Sequence, residues 1–145
     1  MSRSVQTLAN HARYVPLYHF VLGPILLVNL YRSGAALVRE PNADRAMAFA
    51  LAFGFLIFFW YARVFALRAQ DRVIRLEMRL RLERLLPAPQ FARFDEIAVP
   101  QLVAIRFAGD AELPGLVEEV LAGRLVKGDG IKRRIKDWQA DELRV

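Results

Sequence analysis

The chain has 145 residues, 55% of them hydrophobic, yet its formal net charge is +6 and its isoelectric point lies near 10.3. That length accommodates one domain, or a membrane anchor with a small tail, and crowds out two folded domains. Cysteine is absent and no Ser, Thr, Cys or His follows Ser33, which excludes from residues 34–145 a Ser, Thr or Cys nucleophile, an imidazole base and a His or Cys metal ligand.

The basic excess is uneven. Through Gln70, seven Arg face only Glu40 and Asp44, a balance of +5, whereas the remainder sets fourteen Lys and Arg against thirteen acids, +1. A nucleic-acid binder carries its basic surface on the folded part. Arginines flanking an apolar run are instead what the positive-inside rule describes, so a lipid bilayer, and no nucleic acid, is the expected partner.

Residues Met1 to Arg13 are polar, and Val15 to Tyr31 then carry no acid or base except His19. Seventeen helical residues at ~1.5 Å each reach ~25 Å, the short end of what a bilayer requires. A cleaved secretory signal is the competing reading, with Ser33-Gly34-Ala35 as a small-residue site, but Pro24 interrupts the apolar stretch and its start is aromatic. The second run, Ala46 to Leu67, has twenty-two residues and extends ~33 Å, with Arg63 placed to snorkel toward headgroups. Between them, Gly34 and Pro41-Asn42 are breaker and turn residues. A two-span transmembrane hairpin follows, with spans at about 15–31 and 46–67 inside an N-terminal segment 1–67. Three arginines in the connection, Arg32, Arg39 and Arg45, stand against Arg3, Arg13 and seven from Arg63 to Arg84 on the other side, which orients both termini of a multi-pass membrane protein to the cytoplasm.

From Phe55 to Leu86 there is no Gly or Pro, so the second span is expected to continue as a juxtamembrane helical stalk over 68–86. Apolar and charged residues alternate there with the period of a strand, but Leu, Arg, Glu and Met are good helix formers, and Asp71/Arg75, Glu77/Arg81 and Arg79/Glu83 sit four apart. On a helix the apolar residues form two stripes, Val73/Leu76/Leu80 and Ile74/Met78/Leu82/Leu85, fit to meet a partner helix on one side and the tail or lipid on the other. Pro87 and Pro89 end it.

The cytoplasmic tail, 87–145, reads as three short helices. Pro100 suits the first turn of one bearing Leu102, Val103 and Ile105. Asp110 is expected to cap a second, with Leu113, Leu116, Val117, Val120 and Leu121 on one face and Gly123 near its end. Asp129 is expected to cap a third carrying Ile131, Ile135 and Trp138. The fold class is therefore all-α. So few residues make a thin core, and the tail is expected to pack on the stalk, another copy or a partner.

Three strings, Asn10-His11-Ala12-Arg13-Tyr14-Val15-Pro16-Leu17-Tyr18-His19-Phe20, Gln101-Leu102-Val103-Ala104-Ile105-Arg106-Phe107-Ala108 and the closing IKRRIKDWQADELRV, together resemble a family of small bacterial inner-membrane proteins that carries a domain-of-unknown-function label. The likeness covers almost the whole chain. It implies a two-span integral membrane protein and no particular activity, so no functional residue is carried over.

Polar residues inside a membrane are often functional, which singles out His19, Asn29 and Arg63. Bis-histidine haem would need a second intramembrane imidazole; Ala46–Leu67 supplies none and His11 is about two turns from His19, so only two copies pairing His19 with His19 would hold it. No cofactor is expected. The plainer role for His19 is a hydrogen bond across the hairpin or at the interface, and for Asn29 a contact to the loop backbone or a neighbouring helix. Gly23-Pro24 is placed to kink the first span. Ala46, Ala50 and Gly54 recur every four residues as a small-residue face for close packing, within the hairpin or between copies. Asp110, Glu112, Glu118 and Glu119 lack the His of a di-iron bundle and read as solvated caps and faces. Without catalytic side chains in the tail, a non-enzymatic assembly or accessory subunit, homo-oligomeric or part of a larger membrane complex, is the expected function. A redox or transport component using His19 and a membrane-tethered lipid or peptide sensor are the alternatives.

Overall fold

The computed structural model describes residues 15–141, and among them are six α-helices and no named strand. A π-helical turn, Leu17–Leu22, leads into α1, Gly23–Arg39; α2 follows at Ala43–Leu85, α3 at Ala88–Phe91, a 3-10 turn at Phe94–Glu96, α4 at Val99–Ile105, α5 at Leu113–Leu121 and α6 at Gly128–Arg134. The chain divides into two compact units, with the boundary inside α2 between Leu67 and Arg68.

In the first unit the helices extend beyond the apolar runs. The expected loop from Arg32 to Arg45 is mostly helical, for α1 continues to Arg39 and α2 starts at Ala43. Gly34 is therefore no breaker. It sits within α1, where a Cβ would lie 3.2 Å from the Phe49 ring, so its missing side chain lets the two helices approach. The chain turns at Pro41, which forces the preceding Glu40 out of helical geometry to φ −143°, ψ 84°. Asn42 then caps α2 by accepting from the Arg45 N–H at 2.9 Å. Arg45 also donates to the Ala36 carbonyl at 2.9 Å, which accepts from the Glu40 N–H at 3.1 Å as well, and it pairs with Glu40.

The disturbance expected at Gly23-Pro24 takes the form of the π turn. Gly23 N–H bonds back five residues to the Tyr18 carbonyl, and Pro24, having no N–H, cannot restore the normal ladder at the next position. Contacts between α1 and α2 run in opposite senses along the two helices, with Gly34 at Phe49 and Gly23 at Phe59.

In the second unit, described from 68 to 141, one face of α2 joins the tail. Ile74, Met78, Leu82 and Leu86 form a single core with Phe94, Ile97, Leu102, Ala104, Ile105, Ala108, Leu113, Leu116, Val117, Val120 and Ile131. The thin tail thus completes its core with residues 74–86. Only one of the two predicted stripes is used. Leu85 packs against the core edge, while Val73, Leu76 and Leu80 remain 54%, 59% and 55% exposed.

Several tail details differ from expectation. Pro87 and Pro89 end α2 and also start α3, as N-cap and first-turn residues. The N-cap position of α5 belongs to Glu112, not Asp110, with Pro114 preset in its first turn. Lys127 occupies the N-cap position of α6 and Asp129 its first turn, favourable to the helix dipole. That helix stops at Arg134, with Ile135 extended, so Ile135 and Trp138 do not continue a helical stripe. The backbone donors there are taken elsewhere: Glu112 accepts from Lys136 N at 3.1 Å and Asp137 N at 3.2 Å. A short antiparallel bridge then joins Ala108 to Trp138, through Gly109 N to Asp137 O at 2.9 Å and Gln139 N to Phe107 O at 2.7 Å. Trp138 stacks on buried Phe107, ring centroids 4.6 Å apart and planes 10° apart. Gly123, at φ +72°, turns the chain out of α5 in the left-handed conformation glycine adopts without strain.

Candidate functional site

The residues singled out from the sequence do not gather into one site. His19 lies in the π turn, where its Nδ1 is 3.0 Å from the Val15 carbonyl and 3.1 Å from the Val15 amide. A side-chain hydrogen bond to α2 comes instead from its neighbour. Tyr18 donates its hydroxyl to the Phe59 carbonyl and stacks on the Phe59 ring, centroids 4.2 Å apart and planes 13° apart. Pairing a flat ring contact with a satisfied hydroxyl is how tyrosine contributes to packing where one end must be apolar. Asn29 and Arg32 border a shallow groove on α1 with Pro24, Ile25 and Val28. Arg63 is half-buried on α2, continuing the three-four-three spacing of Phe49, Ala52, Leu56 and Phe59 by a further four.

That register marks the face of α2 turned to α1: Phe49 and Phe59 meet Gly34 and Gly23, and Ala52 is 1% exposed. Ala46, Ala50 and Gly54 lie away from it and are exposed, and a Cβ on Gly54 would meet nothing within 4 Å. The small-residue face is thus no part of the contact with α1.

In the second unit the charged residues tie loops to α2. Arg81 donates from Nη1 to the Arg106 carbonyl at 3.0 Å, from Nη2 to the Ala108 carbonyl at 2.8 Å, and from Nε to Asp110 at 2.7 Å. One planar guanidinium so satisfies carbonyls beyond the end of α4 and fixes the loop that carries Asp110. Arg75 reaches Asp95 at 2.8 Å, and Arg75 and Arg79 lie 5.8 and 5.7 Å from the centre of the Phe94 ring, within cation–π range. Arg75 and Arg81 therefore engage tail residues in place of the expected helical partners Asp71 and Glu77. Nor are the four clustered carboxylates merely solvated: Asp110 holds Arg81, Glu112 receives two backbone amides, Glu118 lies 3.8 Å from Arg124 and Glu119 meets Arg134 at 3.3 Å. Arg93 grips Glu96 with two bonds at 2.9 and 2.7 Å; that hydrogen bonding holds the Glu96 carboxyl below its ordinary value and raises the Arg93 guanidinium.

The two long helices also expose an extensive apolar surface. Two helices, Leu17–Arg39 and Ala43–Leu85, are long and apolar enough to cross a membrane, and of their most apolar eighteen-residue stretches 0% and 6% of the residues are buried. Phe58, Trp60 and Phe65 are 72%, 67% and 60% exposed. A helix buried in a soluble core would show the reverse, and soluble monomers rarely expose contiguous apolar patches beyond a few hundred Å².

These features define an all-helical protein with two candidate membrane-crossing helices and a separately cored helical unit. The chain belongs to DUF6526, a family of unknown function, whose match spans residues 1–145. No curated protein and no solved structure matches it. Of the strings that carried the resemblance, Asn10 to Tyr14 and the last four residues, 142–145, lie outside the described residues.

Proposed function

We propose that this protein is an integral membrane hairpin of the bacterial inner membrane, with both termini cytoplasmic, that acts without catalysis as an assembly or accessory subunit. The bilayer covers residues 15–31 and residues 46–67 of α2, and residues 68–86 leave the membrane as a stalk bearing the cytoplasmic unit. The observation that carries the reading is the contrast in cover: the apolar helices are almost bare of protein, while residues 74–131 close a core of their own. In hydrocarbon a helix meets all its backbone hydrogen bonds internally and needs no apolar partner, so bare helices suit a bilayer and no aqueous phase. The charge asymmetry orients the hairpin. Its work is done through helix–helix contacts with copies or larger membrane proteins, for which the exposed faces of α2 are the available surfaces.

Labelling tests this directly, because the chain has no cysteine to remove. Single cysteines at Asn42 and Val145 should react with an impermeant thiol reagent from outside and from inside, respectively. Reaction of the Val145→Cys protein from outside would invert the topology, and release of the chain by alkaline carbonate would end the membrane reading. In-cell cross-linking should return species larger than a monomer; a monomer without partners would remove the assembly role.

A further inference from the structure

The stripe that the tail leaves open has the spacing of a helix–helix seam. Ala69, Val73, Leu76 and Leu80 follow one another at intervals of four, three and four residues, the a/d register of a coiled coil. Ala69 is exposed, and more than half of each of Val73, Leu76 and Leu80 is open, whereas Ile74, Met78 and Leu82 on the neighbouring stripe are at most 4% exposed. All these residues lie in the second unit.

We propose that this seam is the contact between two copies of the chain, paired in parallel as a short two-stranded coiled coil. The inference rests on the membrane reading above, because copies inserted with the same topology present their stalks side by side and pointing the same way. Val73 then occupies an a position and Leu76 a d position, the combination that favours two strands in parallel assemblies. Arg72 falls at g and Glu77 at the following e, five residues on, both exposed. In a parallel pair that spacing sets Arg72 of each copy against Glu77 of the other, so the second copy supplies the complementary charge. Glu83 takes the next d position and Arg79 and Arg84 would face each other as like charges, which ends the seam after Leu80. Arg79 already lies over the Phe94 ring of its own unit, 5.7 Å from its centre. Fewer than two heptads would hold soluble helices together poorly, but copies aligned in one bilayer have already lost much of the orientational freedom that association costs.

Cysteines placed singly at Ala69, Val73, Leu76 and Leu80 of the full-length protein, with Arg68→Cys off the seam, test the proposal by oxidative cross-linking in native membranes. Disulfide-linked dimer should form at all four seam positions and poorly at 68. Capture at one seam position alone would mean antiparallel crossing, and equal capture at 68 or none anywhere would mean no seam; each overturns the proposal. In the Leu76→Cys background, Arg72→Glu should lower the dimer association constant about fivefold, the loss of two modest ion pairs, and Arg72→Glu with Glu77→Arg should restore it. Failure of the double exchange to restore dimer would overturn the register, since damage to the fold would not be repaired by a second reversal. A carbonate wash of the same membranes separates the two readings. Protein retained in the pellet without cross-linking sinks the seam alone, and protein in the supernatant sinks the membrane reading together with the seam built on it.

Discussion

The two ends of α2 are parts of one helix that meet different surroundings. From Ala43 to Leu67 its apolar residues surround the helix, and Phe58 and Trp60 stand open. From Arg68 to Leu85 apolar and charged residues are interleaved, and a single stripe, Ile74, Met78 and Leu82, is sealed by the tail. An all-round apolar helix asks for a uniform apolar solvent, whereas a striped one asks for a partner on one face. The helical backbone is the same in both; composition alone separates a surface suited to lipid from one suited to protein.

Substitutions that treat the two ends alike should expose this difference. The largest expected effect is at Leu82, which is 0% exposed: Leu82→Ala opens a cavity and should destabilise the second unit by about 2–5 kcal/mol. Phe58→Ala removes a larger side chain but one that the protein does not cover, and amide exchange over residues 74–131 should be unchanged. Equal protection losses for both variants, measured on the solubilised full chain, would show the comparison to be wrong. Next is Arg81→Met, which keeps the length and removes three hydrogen bonds, two of them to backbone carbonyls. The expected cost is about 2–3 kcal/mol, read from earlier proteolytic opening of the loop at 106–110. Arg81→Lys should recover only part of it, because an ammonium cannot present the same fork, while Asp110→Asn, at an exposed carboxylate, should cost about 0.5 kcal/mol.

The apolar runs made the two long helices legible, and the helix-forming composition of the stalk settled a strand-like alternation in favour of helix. The buried stripe was visible too, as Ile74, Met78, Leu82 and Leu85, but its equivalence to Val73, Leu76 and Leu80 was not broken by pattern; only the position of the tail decides which stripe is covered. Local signals failed where distant groups compete for the same atoms. Asp110 and Asp129 are good capping residues, yet Asp110 is drawn to Arg81, twenty-nine positions away. Trp138 has helical spacing from Ile131, but its place is fixed by the Phe107 ring and the bridge to Ala108. Gly34 looked like a breaker because spacing carries no information about Phe49. For the candidate site, the sequence picked out the polar residues His19, Asn29 and Arg63 but not the Tyr18–Phe59 contact, since a tyrosine early in an apolar run reads equally as an interfacial residue.

The first unit sharpens the comparison at two of its glycines. Gly34→Val should push α1 from Phe49, costing about 1–3 kcal/mol through overpacking, and a disulfide engineered between the two helices should form more slowly. Gly54→Val, on a face where a Cβ meets nothing within 4 Å, should leave that disulfide unaffected. If Gly54→Val instead loosens the pair, the small-residue face belongs to the contact between the helices.

The smallest effect is electrostatic and confined to the second unit. Arg93 lowers the Glu96 carboxyl from its ordinary value of 4.5, chiefly by hydrogen bonding, and the two side chains are 48% and 55% exposed. The folded state therefore binds a proton at Glu96 less readily than the unfolded chain does. Above the ordinary carboxylate value the pair contributes its stabilisation in full, and as pH falls through the depressed folded value the contribution disappears. Carbon-detected titration of the Glu96 carboxyl should give a midpoint below 4.5, returning to the ordinary range in Arg93→Met and in high salt, which screens exposed pairs. A midpoint that does not move with Arg93→Met would assign the shift to another neighbour. The same titration should leave amide protection over residues 46–60 unchanged, because that stretch carries no charge to titrate.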